Sequence, residues 1–503
     1  MKKLTSFLLG AFVIINAFAQ EPQFSWGQMK SKTGPFTQTQ IIGYEKDGFF
    51  IVNKREPDMT ESQSIIRSAF SPVVTAEFFN AEGDRNFSKD ISTGRSDDYV
   101  DVIYFDHTLY MISALFTKAT GKNVLTAKAI NDDGSMEEPV EIGVLPSEKM
   151  GTRGLFYVAV SPDGSKLLVL SQPEYVKDQN EKIKLTLLEK NFKKVWETEQ
   201  TFSYGWSRTM DNRPYVNNNG TAYILKMISV KGADDSWSIF SSTGKDLKEF
   251  KIAMDGGKKI ASVVQAFSSE GDFTIAGYYK NGGGKVRLTF GDKVDGSFLY
   301  RVDAAGQQSK IAAVNPFAKR DDMLARNIVF HENTTMLLGE KYVVTDRAAA
   351  RSSSAPQTNE TMFARDYSCN GMDIIVDGFD ASGKPMYNTS IDKNNNSKND
   401  QGYWVSYFAA IVKGKLQIVF MDNLSRYDGK KISINTPNII VYTSMDPTTG
   451  KAEKPQPVLK PGPVGGKEGD SYLRPDAFLK MDENKFIIRA ENGTGYRMGM
   501  MAF

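Results

Sequence analysis

Cysteine and histidine are the scarcest chemically active residues of this 503-residue chain. The single cysteine, Cys369, has no second cysteine with which to form an intramolecular disulfide. The two histidines, His107 and His331, are too few for a typical zinc site and work against histidine-based acid–base catalysis. Carboxylate chemistry stays open, because the chain has 60 acidic residues.

The chain also lacks an excess of charge of either sign. Its 62 basic and 60 acidic residues give a net charge of +2, whereas a dedicated nucleic-acid-binding protein usually carries a basic field. It contains no GxSxG, HExxH, P-loop or dinucleotide-binding fingerprint. The sequence therefore predicts no cofactor, no metal and no nucleic-acid partner. It leaves enzymatic activity open, with a lean towards a non-enzymatic protein.

After the N-terminus, no apolar run approaches the roughly 20 residues that cross a bilayer. Residues 1–19 combine two lysines, a short apolar stretch and an Ala17-Phe18-Ala19 motif, which is typical of a secretory signal peptide. A retained membrane anchor is the alternative. We expect a mature chain from residue 20, periplasmic or secreted, with no transmembrane segment. The AFAQ ending and the Lys/Asn-rich body resemble exported proteins of the Bacteroidota.

The body of the chain repeats a hairpin of two apolar runs joined by a short turn rich in Asp, Asn or Gly. Near-continuous apolar strands of this kind are typical of burial on both faces. Eight copies occupy residues 41–53, 102–113, 157–171, 215–226, 263–279, 327–339, 407–421 and 477–489.

A second hairpin follows most copies of the first. An apolar strand ends in Asp, Asn or Ser, and a Gly three or four residues later precedes a polar strand. The Asx side chain caps such a turn, and the Gly adopts the positive φ that closes it. Six copies begin at Asn80, Asn131, Ser241, Asp303, Asp380 and Asp446, and a degenerate seventh begins at Glu189.

Paired hairpins at this repeat length predict an all-β fold, a single β-propeller over residues 20–503. Eight first hairpins and seven second hairpins leave one blade incomplete. Pairing 22–28 with 496–503 would complete it, close the ring and remove exposed strand edges. We therefore expect eight four-stranded blades, with seven blades plus an extra hairpin as the alternative. A Ser/Ala-rich insertion at about 343–371 is expected to be flexible.

One turn carries a resemblance to known propellers. The segment SPDGSKLL (161–168) resembles the SPDGK-type turn of TolB-like and WD40-like propellers. That resemblance implies a propeller blade at this position. The WD dipeptide and the GH signature of WD40 repeats are missing from the sequence.

If the strands of a blade are named A to D outward, the tight A–B and C–D turns lie on one face. We call it the tight-turn face. The B–C and D–A connections leave the opposite face, the long-loop face, where function is expected to concentrate. The long connections are predicted at 54–73, 280–296, 315–326, 343–371, 422–437 and 459–474.

Two sets of candidate ligand-binding residues fall on the long-loop face. An Arg precedes strand A in four blades, and a ring of cations in a recess would hold an anionic ligand. The alternative is that each Arg pairs with a nearby carboxylate. Aromatic residues there would stack on sugars or anchor a protein partner, unless they are ordinary core. The candidates are Arg153, Arg213, Arg326, Arg474, Trp206, Tyr403, Trp404 and Tyr472.

The segment 392–400 spaces oxygen-bearing side chains at every second residue, as calcium loops do. Ser397 stands where such a loop needs Gly, and Tyr403 stands where it needs Glu. A solvated polar loop is therefore the favoured interpretation.

These observations favour a non-enzymatic binding or scaffolding protein of the cell envelope that acts through the long-loop face. Its partner would be a protein or a glycan. Two alternatives stay open: a secreted carbohydrate-active hydrolase or lyase, and a sensor for small anionic ligands.

Overall fold

The computed structural model shows a β-propeller of eight four-stranded antiparallel blades. This confirms the predicted fold and blade number. The described residues are 21–32, 38–45, 47–55, 73–81, 83–91, 97–205, 212–229, 235–252, 254, 257–282, 293–320, 323–346, 367–398, 402, 404–429, 438–458, 463–464 and 471–503.

The described part of the chain begins with two short strands and then builds the blades in sequence order. The first strands are β1 (Gln23–Trp26) and β2 (Lys30–Ser31). Blade 1 contains β3 (Gln38–Glu45), β4 (Gly48–Arg55), β5 (Val73–Asn80) and β6 (Arg85–Asp90). Blade 2 contains β7 (Asp97–Phe105), β8 (Thr108–Thr117), β9 (Lys122–Ile130) and β10 (Val140–Pro146). Blade 3 contains β11 (Leu155–Val160), β12 (Leu167–Gln172), β13 (Asn180–Glu189) and β14 (Lys193–Gly205). Blade 4 contains β15 (Asn212–Val216), β16 (Ala222–Ile228), β17 (Ser236–Ser242) and β18 (Lys248–Lys251).

The second half of the ring repeats this order. Blade 5 contains β19 (Lys259–Phe267), β20 (Phe273–Lys280), β21 (Val294–Val302) and β22 (Ser309–Arg320). Blade 6 contains β23 (Met323–His331), β24 (Thr334–Asp346), β25 (Tyr367–Phe379) and β26 (Pro385–Lys398). Blade 7 contains β27 (Tyr407–Val412), β28 (Lys415–Asn423), β29 (Asn438–Met445) and β30 (Gln456–Pro457). Blade 8 contains β31 (Tyr472–Lys480), β32 (Lys485–Glu491) and β33 (Gly495–Ala502), with β1 as its outer strand.

The first strands of neighbouring blades lie against one another, as in the pairs β11–β15, β19–β23 and β3–β31. Strand A is therefore the innermost strand of each blade. Strands B are buried almost throughout, for example β12 and β20. Apolar side chains of adjacent blades pack together, so the core is a ring of interblade layers.

The two ends of the described chain meet in blade 8. Strand β1 runs antiparallel to β33, with Phe24 opposite Met501 and Trp26 opposite Gly499. Strand β2 continues the contact, because Lys30 lies opposite Tyr496. The predicted closure of the ring by its N- and C-terminal strands is therefore confirmed.

The predicted second hairpins are present, and their glycines adopt the expected conformation. At Asp303 the carboxylate accepts hydrogen bonds from the backbone N–H groups of Gln307 and Gln308, and Gly306 has φ 67°. The degenerate copy turns through a short 3-10 segment, Lys190–Phe192, in which Asn191 adopts φ 57°. Positive φ is also found at Gly83, Gly134, Gly244, Gly383 and Gly450.

Blades 5 and 6 correct two loop predictions. Strands β22 and β23 extend through most of 315–326, which leaves only 321–322 between them. The insertion predicted at 343–371 is narrower, because β24 continues to Asp346 and β25 begins at Tyr367. Cys369 is consequently a buried strand residue opposite Val344. The Ser/Ala-rich segment 348–356 lies outside the described residues.

The segment 392–398 is neither a calcium loop nor a solvated loop, since it belongs to strand β26. Lys393, Asn395 and Ser397 are buried, while Asp392 is exposed. The spacing of two is the alternation of a β-strand, whose successive side chains point to opposite faces.

Candidate functional site

The ends of strands B and the beginnings of strands A meet on the long-loop face. Arg213, Arg326 and Arg474 lie within the first residues of their strands A, and Arg153 lies two residues before β11. The structure thus brings all four predicted arginines to the predicted face. Their surroundings differ from blade to blade.

Arg153 connects blades 2 and 3. Its Nε lies 2.5 Å from Oδ2 of Asp98, at the beginning of β7, and its Nη1 donates to the carbonyl of Met150. Both partners of this ion pair are partly exposed, with side-chain exposures of 24% and 38%. Arg213, on β15, is exposed.

Arg326 is held inside blade 6 by a buried carboxylate. Its Nε and Nη2 donate to one oxygen of Glu340 at 3.1 and 2.9 Å, and its guanidinium lies over the ring of Tyr342. The other oxygen of Glu340 accepts from the ammonium of Lys393, which also donates to the carbonyl of Val405. Burial lowers the pKa of Lys393, and the charge of Glu340 works against that effect.

A glycine makes room for this pair. A Cβ atom on Gly371 would lie 2.6 Å from the Glu340 oxygen and 2.8 Å from the Lys393 nitrogen. Any larger residue would therefore separate the two charges. The four residues Arg326, Glu340, Gly371 and Lys393 form a compact structural unit under the 404–405 backbone.

Arg474 is 1% exposed and belongs to a larger group of charges in blade 8, which we call the closure network. It donates to both oxygens of Asp476 and, through Nη1, to Glu491 at 2.9 Å. The second oxygen of Glu491 accepts from Arg489 and lies 3.2 Å from the ammonium of Lys32. The closure network therefore links the N-terminal segment to strands β31 and β32.

The closure network continues into blade 1. Arg489 donates to Asn53 Oδ1 at 2.7 Å, and Asn53 donates in turn to Glu77. The hydroxyl of Tyr496 lies 2.8 Å from both oxygens of Glu77. Buried charges thus bridge the seam between blades 8 and 1, where the ring closes.

Arg153, Arg326 and Arg474 are consequently engaged with carboxylates, which is the arrangement expected of structural ion pairs. Asp98 and Asp476 were recognisable as partners because they stand near strand A in the sequence. Glu340 and Glu491 were not, because they lie on strands B, which the sequence shows only as apolar runs. The ligand-binding roles of the arginines stay predictions.

The predicted aromatic residues are partly brought together. The rings of Trp404 and Tyr472 lie 5.8 Å apart between blades 7 and 8, and both side chains are half-buried. The carbonyl of Trp404 accepts a hydrogen bond from Asn395, which fixes the backbone of this connection. Trp206 and Tyr403 lie outside the described residues.

An apolar patch, which the sequence prediction missed, surrounds Arg153 on the long-loop face. Five of the ten exposed large hydrophobic side chains in the described part of the chain lie here, on blades 2 and 3. Tyr175, the most exposed of them at 55%, lies in the B–C connection of blade 3. The members of the apolar patch are Leu115, Met150, Leu155, Tyr175 and Val176.

Strand register and chain position place these residues at the same end of blades 2 and 3. Leu115 lies opposite Asp97, the residue before the partner of Arg153. Leu155 begins β11 opposite Gln172, directly before the connection that carries Tyr175. Apolar residues in two consecutive connections were the sequence signal, and it is weak because apolar residues are common in loops near the core.

Within the described residues, no group of three His, Cys, Asp or Glu side chains is arranged to hold a metal ion. No helix in the same set is both long and apolar enough to cross a bilayer. His107 lies in the A–B turn of blade 2, on the tight-turn face, where it pairs with Glu45 at 2.7 Å.

No protein-family model and no curated protein matches the chain. Solved propeller structures align along most of its length at very low identity. The propeller domain of the Trilobed protease from Pyrococcus furiosus is 9% identical, with a TM-score of 0.34 over 84% of this chain and 96% of that one. The WD40 domain of SCAP from fission yeast is 6% identical, with a TM-score of 0.37 over 96% and 98%. The oligogalacturonate lyase from Vibrio parahaemolyticus is 8% identical, with a TM-score of 0.36 over 96% and 97%. Identities of this size do not transfer an activity from those proteins to this chain.

Proposed function

We propose that this chain is a non-enzymatic binding protein of the cell envelope that docks a protein partner through the long-loop face. The observation that carries the proposal is the apolar patch on blades 2 and 3. Exposed apolar side chains grouped on one face are typical of a protein-interaction site. The propeller supplies the rigid support that such a site needs.

The chemistry of the patch suits a protein rather than a glycan. Tyr175 offers a large ring with few rotatable bonds, the kind of residue that anchors interfaces. Met150 adds an adaptable apolar surface. The exposed Arg153–Asp98 pair lies beside them and would orient a charged partner more than it would add affinity.

The envelope location rests on the secretory signal predicted at residues 1–19, which lie outside the described part of the chain. The anion-sensor alternative needs cationic charge left over for a ligand, whereas Arg153, Arg326 and Arg474 each meet a carboxylate. The carbohydrate-active alternative receives no specific support from the described residues.

The test compares a patch variant with a matched control. Leu155→Ser and Tyr175→Ser together remove two of the five members of the apolar patch, including the most exposed one. Val195→Ser and Met386→Ser remove two similarly exposed apolar side chains on outer strands. Cross-linked capture from envelope extracts, followed by quantitative mass spectrometry, measures partner recovery. We expect the patch variant to lose a reproducible protein partner by about tenfold or more, in line with the loss of an anchor residue, and the control to retain it.

Two results would contradict the proposal. One is that the wild-type protein recovers no reproducible partner. The other is that the patch variant, with an unchanged unfolding temperature, recovers the same partner as the control. Binding of a glycan array instead, abolished by the patch variant, would reassign the surface to carbohydrate.

A further inference from the structure

A cavity of about 200 Å³ lies in the seam between blade 8 and blade 1. Blade 8 contributes Trp26, Met481, Met498 and Met500, among others, and blade 1 contributes Tyr44 and Phe49. We call it the seam cavity. It lies towards the tight-turn face, since the A–B turn of blade 8 and the C–D turn of blade 1 both reach it.

Small residues on the closing strands leave this space open. Ser25 and Gly27 line it from the N-terminal segment, and Gly499 lines it from β33. Gly499 lies opposite Trp26, and a Cβ atom there would be 2.5 Å from a ring carbon of Trp26 and from the carbonyl oxygen of Ser25. The close packing of the Trp26 ring on β33 therefore requires a glycine at this position.

The lining determines what the seam cavity can hold. Among the described residues, the lining contains three methionines and three aromatic residues but no Asp, Glu, Lys, Arg or His. A charged ligand would lose its hydration here without gaining a counter-ion. Methionine sulfur atoms instead make favourable contacts with aromatic rings. The hydroxyl-bearing residues Ser25 and Tyr44 give one polar substituent a place to hydrogen-bond.

We propose that the seam cavity is a binding site for a small, neutral aromatic molecule with one ring and one hydroxyl or amino substituent. Its volume fits that class, because an apolar cavity of roughly 150 Å³ accommodates benzene. Met500, which is 41% exposed, lies at the opening and has the rotatable bonds to move aside. The seam cavity goes beyond the proposed protein-binding function, because it lies towards the tight-turn face and the apolar patch lies on the long-loop face. We therefore expect the seam cavity and the apolar patch to be occupied independently.

The experiment uses 4-fluorophenol as the probe and ligand-observed fluorine NMR as the readout, on the full mature chain. We expect line broadening that saturates and that unlabelled phenol reverses by competition. The charged analogue 4-fluorobenzoate should give no specific broadening, since the described lining residues offer no counter-ion.

Two variants fill the cavity, and one serves as a control. Ser25→Leu adds a side chain from β1, and Met500→Trp fills the opening from an exposed position, which keeps the test available if the first variant does not fold. Ser88→Leu makes the same substitution at an exposed position on β6, the outer strand of blade 1. We expect each filling variant to weaken 4-fluorophenol binding by about tenfold or more, because the new side chain occupies the ring's volume.

The control should bind as the wild type does. Unchanged binding in a folded filling variant would overturn the proposal, as would the absence of saturable binding to the wild-type protein. Equal binding of 4-fluorobenzoate would overturn the neutral-ligand assignment.

Discussion

Replacement of Glu491 by Gln tests the closure network most directly. The substitution keeps the shape of the side chain and removes its charge. Glu491 receives hydrogen bonds from Arg474 and Arg489 and pairs with Lys32, and it is only 1% exposed. The variant therefore leaves three cations near one another with less compensation.

The magnitude follows from the pKa of Glu491. Burial alone would raise this pKa, but the charges of Arg474, Arg489 and Lys32 outweigh burial and lower it from 4.5 to about 2. At about 1.4 kcal/mol per pKa unit, the ionised carboxylate stabilises the fold by about 3 kcal/mol at pH 7. Breaking a buried ion pair from one side costs a similar amount, about 3–5 kcal/mol. We expect Glu491→Gln to reduce the free energy of unfolding by at least about 3 kcal/mol at neutral pH.

The pH dependence distinguishes this charge effect from a loss of packing. Because the folded-state pKa lies below the unfolded-state value, the stabilisation is present above pH 4.5 and is lost as the pH falls towards 2. In urea denaturation, the difference in the free energy of unfolding between wild type and variant at pH 3 should therefore be less than about half the difference at pH 7.

Glu453→Gln is the matched control, because Glu453 pairs with Lys415 at 3.2 Å on the surface. Glu453→Gln should change the free energy of unfolding by no more than about 0.5 kcal/mol. The reasoning would be refuted if Glu491→Gln lowered the free energy of unfolding by less than about 1 kcal/mol at pH 7. It would also be refuted if the loss at pH 3 equalled the loss at pH 7.

Three further predictions concern other parts of the ring. Burial raises the pKa of Asp377 to about 6. Ionisation of that carboxylate therefore lowers the free energy of unfolding as the pH rises from 3.8 through 6. Asp377→Asn should raise the free energy of unfolding at pH 8 by up to about 3 kcal/mol but should not raise it at pH 3.5, as measured by urea denaturation. Deletion of 22–28 should lower the unfolding temperature of the whole ring, whereas trimming 348–356 should leave it unchanged in calorimetry. Gly306→Ala should destabilise more than Gly83→Ala, because both glycines have positive φ but only the added Cβ at 306 meets neighbours, at 2.8–2.9 Å. Equal unfolding free energies for the two glycine variants would contradict this reading.

Turn chemistry is the reason that the fold could be predicted from sequence. An Asx residue followed by a Gly with positive φ is a local signal, and it marks the C–D turn without knowledge of the tertiary contacts. The closure could be predicted by counting hairpins, because the incomplete blade left one unmatched strand candidate at each end of the predicted propeller, 22–28 and 496–503. Strand ends were less predictable, as β22 and β25 show, because pairing with a neighbour extends strands through polar residues.

The segment 392–398 shows why the charged interior could not be predicted. Its alternating polar residues indicated either a weak calcium loop or a solvated loop, yet the same alternation places Lys393 against Glu340, a residue 53 positions earlier. Lysine is rarely buried without a partner, and the partner becomes visible only when β24 and β26 are placed in one blade. The apolar patch was missed for the corresponding reason, since exposure is a property of the folded surface.

The buried charges also explain how the long-loop face is built. Arg326 and Arg474 lie near the beginnings of their strands A, and each binds a carboxylate on strand B of the same blade, Glu340 or Glu491. Compared with apolar residues of similar volume, such buried pairs add little net stability, because desolvation offsets their attraction, whereas removing one partner is costly; the intact pair fixes one geometry. The connections of the long-loop face therefore depart from strand ends that are rigidly held. Of the arginines 153, 326 and 474, only Arg153 forms a partly exposed ion pair beside the apolar patch. Substitution of Arg153 should therefore alter association with the partner, whereas substitution of Arg326 or Arg474 should alter folding.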